Sequence, residues 1–219
     1  IRSPGHRPSA ALTTIPMGGL RQRISGNSIF AKPRIGLLGG SFNPTHEGHL
    51  HISLMALQRL GLDEVWWLVS PSNPLKKSHD LAPYDSRLAG ARKMARHPRI
   101  TVSDFEARAG TRYTVHTLRA LMRRFGGVRF VWIAGADILI EMPLWRDWEA
   151  IFRAVPIAIF DRPTYSLKAL SGLVAQRFGR ARLSERHAAK LAEQSPPAWT
   201  FIHGRRNPTS ATKLRKGGA

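Results

Sequence analysis

Gly39-Gly40-Ser41-Phe42-Asn43-Pro44-Thr45-His46-Glu47-Gly48-His49 is the stretch on which the fold of this chain turns. It follows Ile35-Gly36-Leu37-Leu38, a short run that reads as a buried strand. It precedes Leu50 to Leu60, whose leucines at 50, 54, 57 and 60 keep helical spacing up to Gly61. A strand, a glycine-bearing turn and a helix in that order can cradle an anion. Glycines let backbone N–H groups come close to a phosphate, and a helix start adds partial positive charge. Two histidines three residues apart can face the same way, each with a donor for a phosphate oxygen. Taken alone, the pair could equally serve as helix caps. A Walker loop is excluded because no Gly-Lys-Ser/Thr ending follows, and a dinucleotide fingerprint because its three spaced glycines are missing.

Outward from that stretch, strands and helices alternate. Strands are expected at Val65 to Val69, Ile100 to Ser103, Val128 to Ile133, Val155 to Phe160 and Trp199 to Ile202. Helices are expected at Asp85 to His97, Val115 to Phe125 and Trp148 to Arg153, then near Leu167 to Phe178 and Ser184 to Gln194. Alternation of this kind implies an α/β fold, Rossmann-like, with a doubly wound parallel sheet covered on both faces. In such sheets ligands lie beyond the carboxyl ends of the strands, at a switch point. The loops after Leu38, Val69, Ile133 and Ile202 are therefore expected to converge on the site.

Bulk properties bound the rest. A chain of 219 residues suits one domain with a full core, here read as residues 34–219. Residues 1–33, rich in Gly, Pro, Ser and Arg without apolar periodicity, read as a disordered extension or a misplaced start. No apolar run reaches the roughly 18 residues of a membrane span, so no membrane partner is expected. With no cysteine, disulfides, thiolate metal sites and cysteine nucleophiles drop out, and a cytoplasmic location fits. The net charge of +20 calls for anionic partners. The arginines spread along the whole chain rather than in one stripe, which favours nucleotide phosphates over nucleic acid.

From Gly40 to His49 the chain resembles Gly-x-Phe-x-Pro-x-His-x-Gly-His, the signature of the nucleotidyltransferase superfamily. Within that superfamily it is similar to the bacterial nicotinate-nucleotide adenylyltransferases, from about Ile35 to Arg215. Ser72-Asn73-Pro74-Leu75-Lys76-Lys77 resembles the family's loop after the second strand, and Tyr113-Thr114-Val115-His116-Thr117-Leu118 its Tyr-Thr-x-x-Thr-Leu. Gly135-Ala136-Asp137 with Trp145 resembles Gly-x-Asp…Trp, and Ser210-Ala211-Thr212-Lys213-Leu214-Arg215 the C-terminal Ser-x-Thr-x-x-Arg.

The resemblance implies transfer of AMP from ATP, with its Mg2+, to nicotinate mononucleotide, with no metal held by protein ligands. It implies catalytic roles for His46, His49, Lys76, Lys77 and Arg215. ATP would lie against Gly39, Gly40, Ser41, Phe42, His46, His49, Gly135, Asp137, Ser210, Thr212 and Arg215. The mononucleotide would meet Asn73, Thr114, Trp145 and Arg146. Asn43 departs from the family's usual Asp, Lys77 from an Arg, and Arg146 from an aromatic or His. The rival readings are another transferase of the superfamily, such as a pantetheine-phosphate adenylyltransferase or a cytidylyltransferase, and a basic nucleic-acid-binding module. The Arg-Thr-x-Gly-Ile-Ser that a cytidylyltransferase would carry is not found.

Overall fold

The structure is a computed structural model that describes residues 32–72, 81–162 and 165–204. In chain order it forms β1 (Arg34–Gly40), α1 (Glu47–Arg59), β2 (Glu64–Val69), α2 (Tyr84–Met94), β3 (Ile100–Ser103) and α3 (Phe105–Arg108). There follow α4 (Thr114–Arg124), β4 (Arg129–Gly135), α5 (Ala136–Glu141), a 3-10 turn at Met142–Leu144, α6 (Trp148–Ala154) and β5 (Ile157–Phe160). The last part holds α7 (Ser166–Ser171), α8 (Leu173–Arg177), β6 (Arg182–Leu183), a 3-10 helix at Glu185–Glu193 and β7 (Trp199–Ile202).

Among the described residues the strands make one seven-stranded sheet in the order β3-β2-β1-β4-β5-β7-β6. Every pairing is parallel. The chain winds first to one side of β1 and then to the other, so β1 and β4 flank the point where the order reverses. Because the strands are parallel, α1, α2 and α4 return antiparallel to them and start at the carboxyl edge. The strands are almost wholly apolar, as a sheet covered on both faces requires. Trp66 and Trp67 are successive residues of β2 and therefore face opposite sides. Trp67 joins Leu38, Val69, Val131 and Ile133 under Ala56 and Leu57 of α1 and its C-cap Leu60. Trp66 meets Phe125 and Phe130 edge-on at 5.3 and 5.9 Å on the other side. Fully burying one such side chain contributes about 1.5–3 kcal/mol.

The sequence reading of the sheet stands, with local corrections. β1 runs on through Gly39 and Gly40, and β4 through Gly135, so these glycines end strands rather than form turns. α1 begins at Glu47, earlier than Leu50, and α2 stops at Met94, well before Pro98. The Leu167 to Phe178 stretch breaks at Gly172, whose extended backbone separates α7 from α8. The Ser184 to Gln194 stretch is 3-10 helix rather than α. α3, α5 and the two-residue β6 have no counterpart in the sequence reading, because a helix of six residues or fewer is too short for helical periodicity to register and two residues are too few for an apolar run. No helix among the described residues is long and apolar enough to cross a membrane.

Candidate active site

The turn between β1 and α1 is held by its apolar residue. Phe42 adopts a positive φ of 48°, a left-handed conformation that bulky residues avoid, at a cost of about 1–3 kcal/mol. Its ring is 2 % exposed and is over-determined by its neighbours. It stacks on Trp67 at 5.3 Å and packs against His49 at 4.7 Å. The backbone strain at Phe42 thus turns the chain from strand to helix while its ring forms the wall behind His49. Ser53, fully buried one turn into α1, accepts from Trp67 Nε1 at 2.8 Å and donates to the His49 carbonyl at 2.8 Å. The first turn of the helix is therefore bolted to β2.

The two readings of the histidine pair, cap and phosphate donor, prove compatible. His46 is the N-cap of α1, and its Nδ1 accepts from the Gly48 N–H at 3.1 Å. His49 Nδ1 stands 3.3 Å from both the N–H and the carbonyl of His46. That carbonyl already accepts the His49 N–H at 2.9 Å, whereas the N–H belongs to a helix start and lacks an intrahelical partner. Nδ1 therefore serves the N–H and completes a capping box. With both Nδ1 atoms occupied as acceptors, each neutral ring carries its proton on Nε2. The ring centroids lie 4.0 Å apart. Both rings are held neutral. Burial pushes His46 down to about 4, helped by the Arg162 charge. Burial pushes His49 to about 3, helped by His46 and Arg162.

Arg162 follows β5, and its Nη1 donates to Asp137 Oδ2 at 2.8 Å. The pair folds over Gly135, the last residue of β4. A Cβ there would sit 2.6 Å from Asp137 Oδ1 and 2.8 Å from Arg162 Nε. Gly135 is thus a glycine because two charged groups need its space. Asp137 Oδ1 is buried without a hydrogen-bond partner, an acceptor left open at the carboxyl edge of the sheet. Gly39 plays the matching part at the end of β1, where a Cβ would meet the Trp132 ring at 2.3 Å.

Thr114 is the first residue of α4, which starts at the same edge. Next to it, the Arg146 guanidinium lies 5.0 Å above the Tyr113 ring. Arg146 also approaches Asp147 at 3.9 Å, but both side chains are more than half exposed, so that ion pair contributes little. Trp145 is partly buried, and its backbone N–H donates to the Met142 carbonyl at 2.9 Å. Beneath α4, Glu106 is buried at 8 % exposure and pushed up to about 7 by that burial, with hydrogen bonds to Ser70 and Thr117.

The structure brings His46, His49 and Phe42 together and sets Gly135 and Asp137 under Arg162, whose charge both histidines feel. It places Thr114 beside the Tyr113–Arg146 contact. Asn73, Lys76, Lys77, Ser210, Thr212 and Arg215 lie outside the described residues. The Asn43 departure is accounted for in part, since its Oδ1 accepts from the Ala82 N–H at 3.2 Å, which an amide does as well as a carboxylate. Sequence reasoning missed Arg162, Arg87 and Glu106. Arg162 alone carried a signal, as a cation two residues beyond a strand's carboxyl end. Nothing in the sequence around Arg87 or Glu106 singles them out.

The family described as cytidylyltransferase-like matches residues 37–217. A relative from Parvibaculum lavamentivorans, described as a probable nicotinate-nucleotide adenylyltransferase, is 54% identical over 84% of this chain and 92% of its own. Relatives with the same description from Methylorubrum extorquens strain PA1 and Rhizobium meliloti are 54% and 49% identical, each over 83% of this chain and 98% and 96% of their own. Among solved structures, the Plasmodium falciparum nicotinic acid mononucleotide adenylyltransferase complexed with NaAD shares the fold. Its TM-score is 0.63 at 16% identity, over 84% of this chain and 83% of that one. On its sequence relatives and its sheet topology, the chain belongs to the nicotinate-nucleotide adenylyltransferases, within the cytidylyltransferase-like family.

Proposed function

We infer that this protein transfers AMP from ATP to nicotinate mononucleotide, releasing pyrophosphate and forming nicotinate adenine dinucleotide. The observation that carries the reading is the His46–His49 pair, two neutral imidazoles whose free donors are both Nε2–H groups at the switch point. A neutral donor meets a phosphate oxygen without the histidine having to gain or lose a proton. The relatives' names supply the acceptor.

The acceptor's phosphate, with a second pKa near ~6, is already mostly ionised at neutral pH and needs no general base. One of its oxygens attacks the α-phosphorus of ATP, and the bond to the β,γ-pyrophosphate breaks. Catalysis then consists of holding the two phosphates in line and stabilising the charge that spreads over the transferring group. His46 and His49 donate to that group, beside Gly39, Gly40, Ser41 and Phe42. Asp137 Oδ1, the open acceptor, suits a ribose hydroxyl of the nucleotide. We assign Lys76, Lys77, Ser210, Thr212 and Arg215 to the triphosphate, and Asn73 to the mononucleotide, on the resemblance. Mg2+ enters as part of the ATP substrate, coordinated by its phosphates. Such an enzyme works where ATP is abundant, which favours the cytoplasm.

Acid and amide acceptors test the reading. The two differ by a carboxylate against a carboxamide, and a site that donates to both oxygens leaves the amide nitrogen facing a donor. Thr114 at a helix start and Arg146 above Tyr113 favour the negative group, while Trp145, assigned on the resemblance as the ring that stacks on the pyridine, serves acid and amide alike. A charged hydrogen bond contributes about 1.5–3 kcal/mol, so kcat/KM for nicotinate mononucleotide is expected to exceed that for nicotinamide mononucleotide at least about tenfold. Pyrophosphate release measured with both acceptors on one preparation decides it. Equal efficiencies would overturn the roles of Thr114 and Arg146, and no release with either would overturn the reaction.

A further inference from the structure

Arg87 has no part in the chemistry described above, yet it is the most committed side chain at the carboxyl edge of the sheet. It sits in the first turns of α2 at 4 % exposure. Its Nη1 donates to Ser41 O at 2.6 Å and to Ser70 O at 2.7 Å. Its Nη2 donates to Pro71 O at 3.0 Å and its Nε to Ala82 O at 2.9 Å. Among the described residues it forms no ion pair, and the aromatic ring of Tyr84 lies 5.4 Å from its guanidinium. A buried cation without a carboxylate is costly, so the arrangement calls for a reason beyond packing.

The carbonyls supply that reason. Ser41 follows β1, and Ser70 and Pro71 follow β2, so three acceptors crowd the edge at which the reading above places a triphosphate. Carbonyl oxygens are the negative ends of their dipoles and would repel that anion. Arg87 takes up all three and adds a full positive charge behind them. It also spans the segment between β2 and α2. It holds the start of that segment at Ser70 and Pro71 and its end at Ala82, whose N–H is taken by Asn43 from the turn. One guanidinium, with five donors in a fixed plane, therefore ties the β1 turn, the exit of β2 and the approach to α2 into one body.

We propose that Arg87 is a positioning residue for ATP: it neutralises and fixes the carbonyl edge after β1 and β2 so that this edge accepts a triphosphate. The proposal rests on the adenylyltransferase reading for the identity of the anion. Its test measures MgATP binding by calorimetry, which needs no turnover, beside the KM of each substrate. Arg87→Met is expected to weaken MgATP binding and raise its KM at least about tenfold, while the KM for nicotinate mononucleotide stays within about twofold. Arg87→Lys, which keeps the charge but cannot span four carbonyls, is expected to fall between. A merely structural role would lower the folded fraction, hence the apparent kcat, and move neither KM. Millimolar methylguanidinium is expected to restore MgATP affinity to Arg87→Ala. Should Arg87→Met fail to fold, Arg87→Lys carries the comparison alone. Wild-type MgATP affinity in the folded variants, or an equal rise in both KM values, overturns the proposal. Wild-type protein that binds MgATP without releasing pyrophosphate would overturn the reaction and leave the binding test of Arg87 standing.

Discussion

His49→Ala is expected to fold and to lose at least about 100-fold in turnover, the effect of removing one preorganised donor worth about 3 kcal/mol from a reacting phosphate. The structure separates the two jobs of this residue. As a cap, its Nδ1 serves one backbone N–H of His46, a contribution of about 1 kcal/mol to the helix. As a donor, its Nε2–H has no substitute in a methyl group. The capping loss shifts the melting temperature by a few degrees, because 1 kcal/mol corresponds to about 2–4 °C in a chain of this size. The catalytic loss leaves the melting temperature alone and appears in kcat. His49→Asn is the informative companion. Its amide can serve the His46 N–H but does not reach as far as Nε2, so it is expected to recover stability without recovering rate. Turnover within a few-fold of wild type in folded His49→Ala would remove the histidine pair from the mechanism.

Gly39→Ala and Gly135→Ala are expected to fail in opposite ways, although both close with a similar clash on paper. At Gly39 the new methyl would sit 2.3 Å from the Trp132 ring, which is 2 % exposed. The ring cannot give way, so overpacking costs about 1–3 kcal/mol and the melting temperature drops by several degrees. At Gly135 the neighbours are the ends of Asp137 and Arg162, about a quarter and a third exposed. These can swing aside at little cost in stability, but the Asp137–Arg162 pair then comes apart. Gly135→Ala is therefore expected to melt near wild type and to lose about tenfold or more in kcat/KM, the value of roughly one charge-assisted hydrogen bond. Thermal melts and steady-state kinetics on both variants make the comparison. A stable Gly39→Ala, or a fully active Gly135→Ala, would contradict the packing described for that glycine.

The contrast between these residues also marks what the sequence could reveal. The β1–turn–α1 stretch was legible because its chemistry depends on residue types in one contiguous run, and the sheet because buried parallel strands are continuous apolar runs. Strand ends were less legible. Gly39 and Gly40 read as turn residues, and Gly135 falls beyond the strand expected to end at Ile133, since nothing local shows that a ring from β4 or a salt bridge from β5 lies across them. Arg87 was invisible for the same reason. On a helix with Leu88 and Ala91 at its side it looks like a solvated charge, and only the backbone of two distant segments, with that of Ala82 just before the helix, gives it partners. Glu106 reads as one more acid of a polar loop. The 3-10 helix at Glu185–Glu193 shows the converse. Its apolar spacing is clear, but spacing fixes which side is buried and not how tightly the backbone winds.

Folding of this chain exchanges protons with the solvent, and in both directions. His46 and His49, near 6.5 when unfolded, fall to about 4 and about 3 in the folded chain. Below pH 6.5 the unfolded chain therefore binds protons that the folded chain refuses. The stability these two rings support is complete above 6.5 and is lost as pH falls through about 4. Glu106 runs the other way. Unfolded it ionises near 4.5, folded only near 7, so the native state keeps a proton that the unfolded state has released. Its contribution is complete below 4.5 and is lost as pH rises through about 7. Between about pH 4.5 and 6 the two histidines outweigh the one acid, and over these three groups the native state binds fewer protons than the unfolded state. Glu106→Gln, neutral at every pH, is expected to lift the melting temperature relative to wild type progressively from pH 4.5 to 7 and by a constant amount above that. Parallel melting curves across that range would mean that Glu106 is already ionised in the native protein. The hydrogen bonds from Ser70 and Thr117, which favour the ionised form, would then outweigh the burial that opposes it.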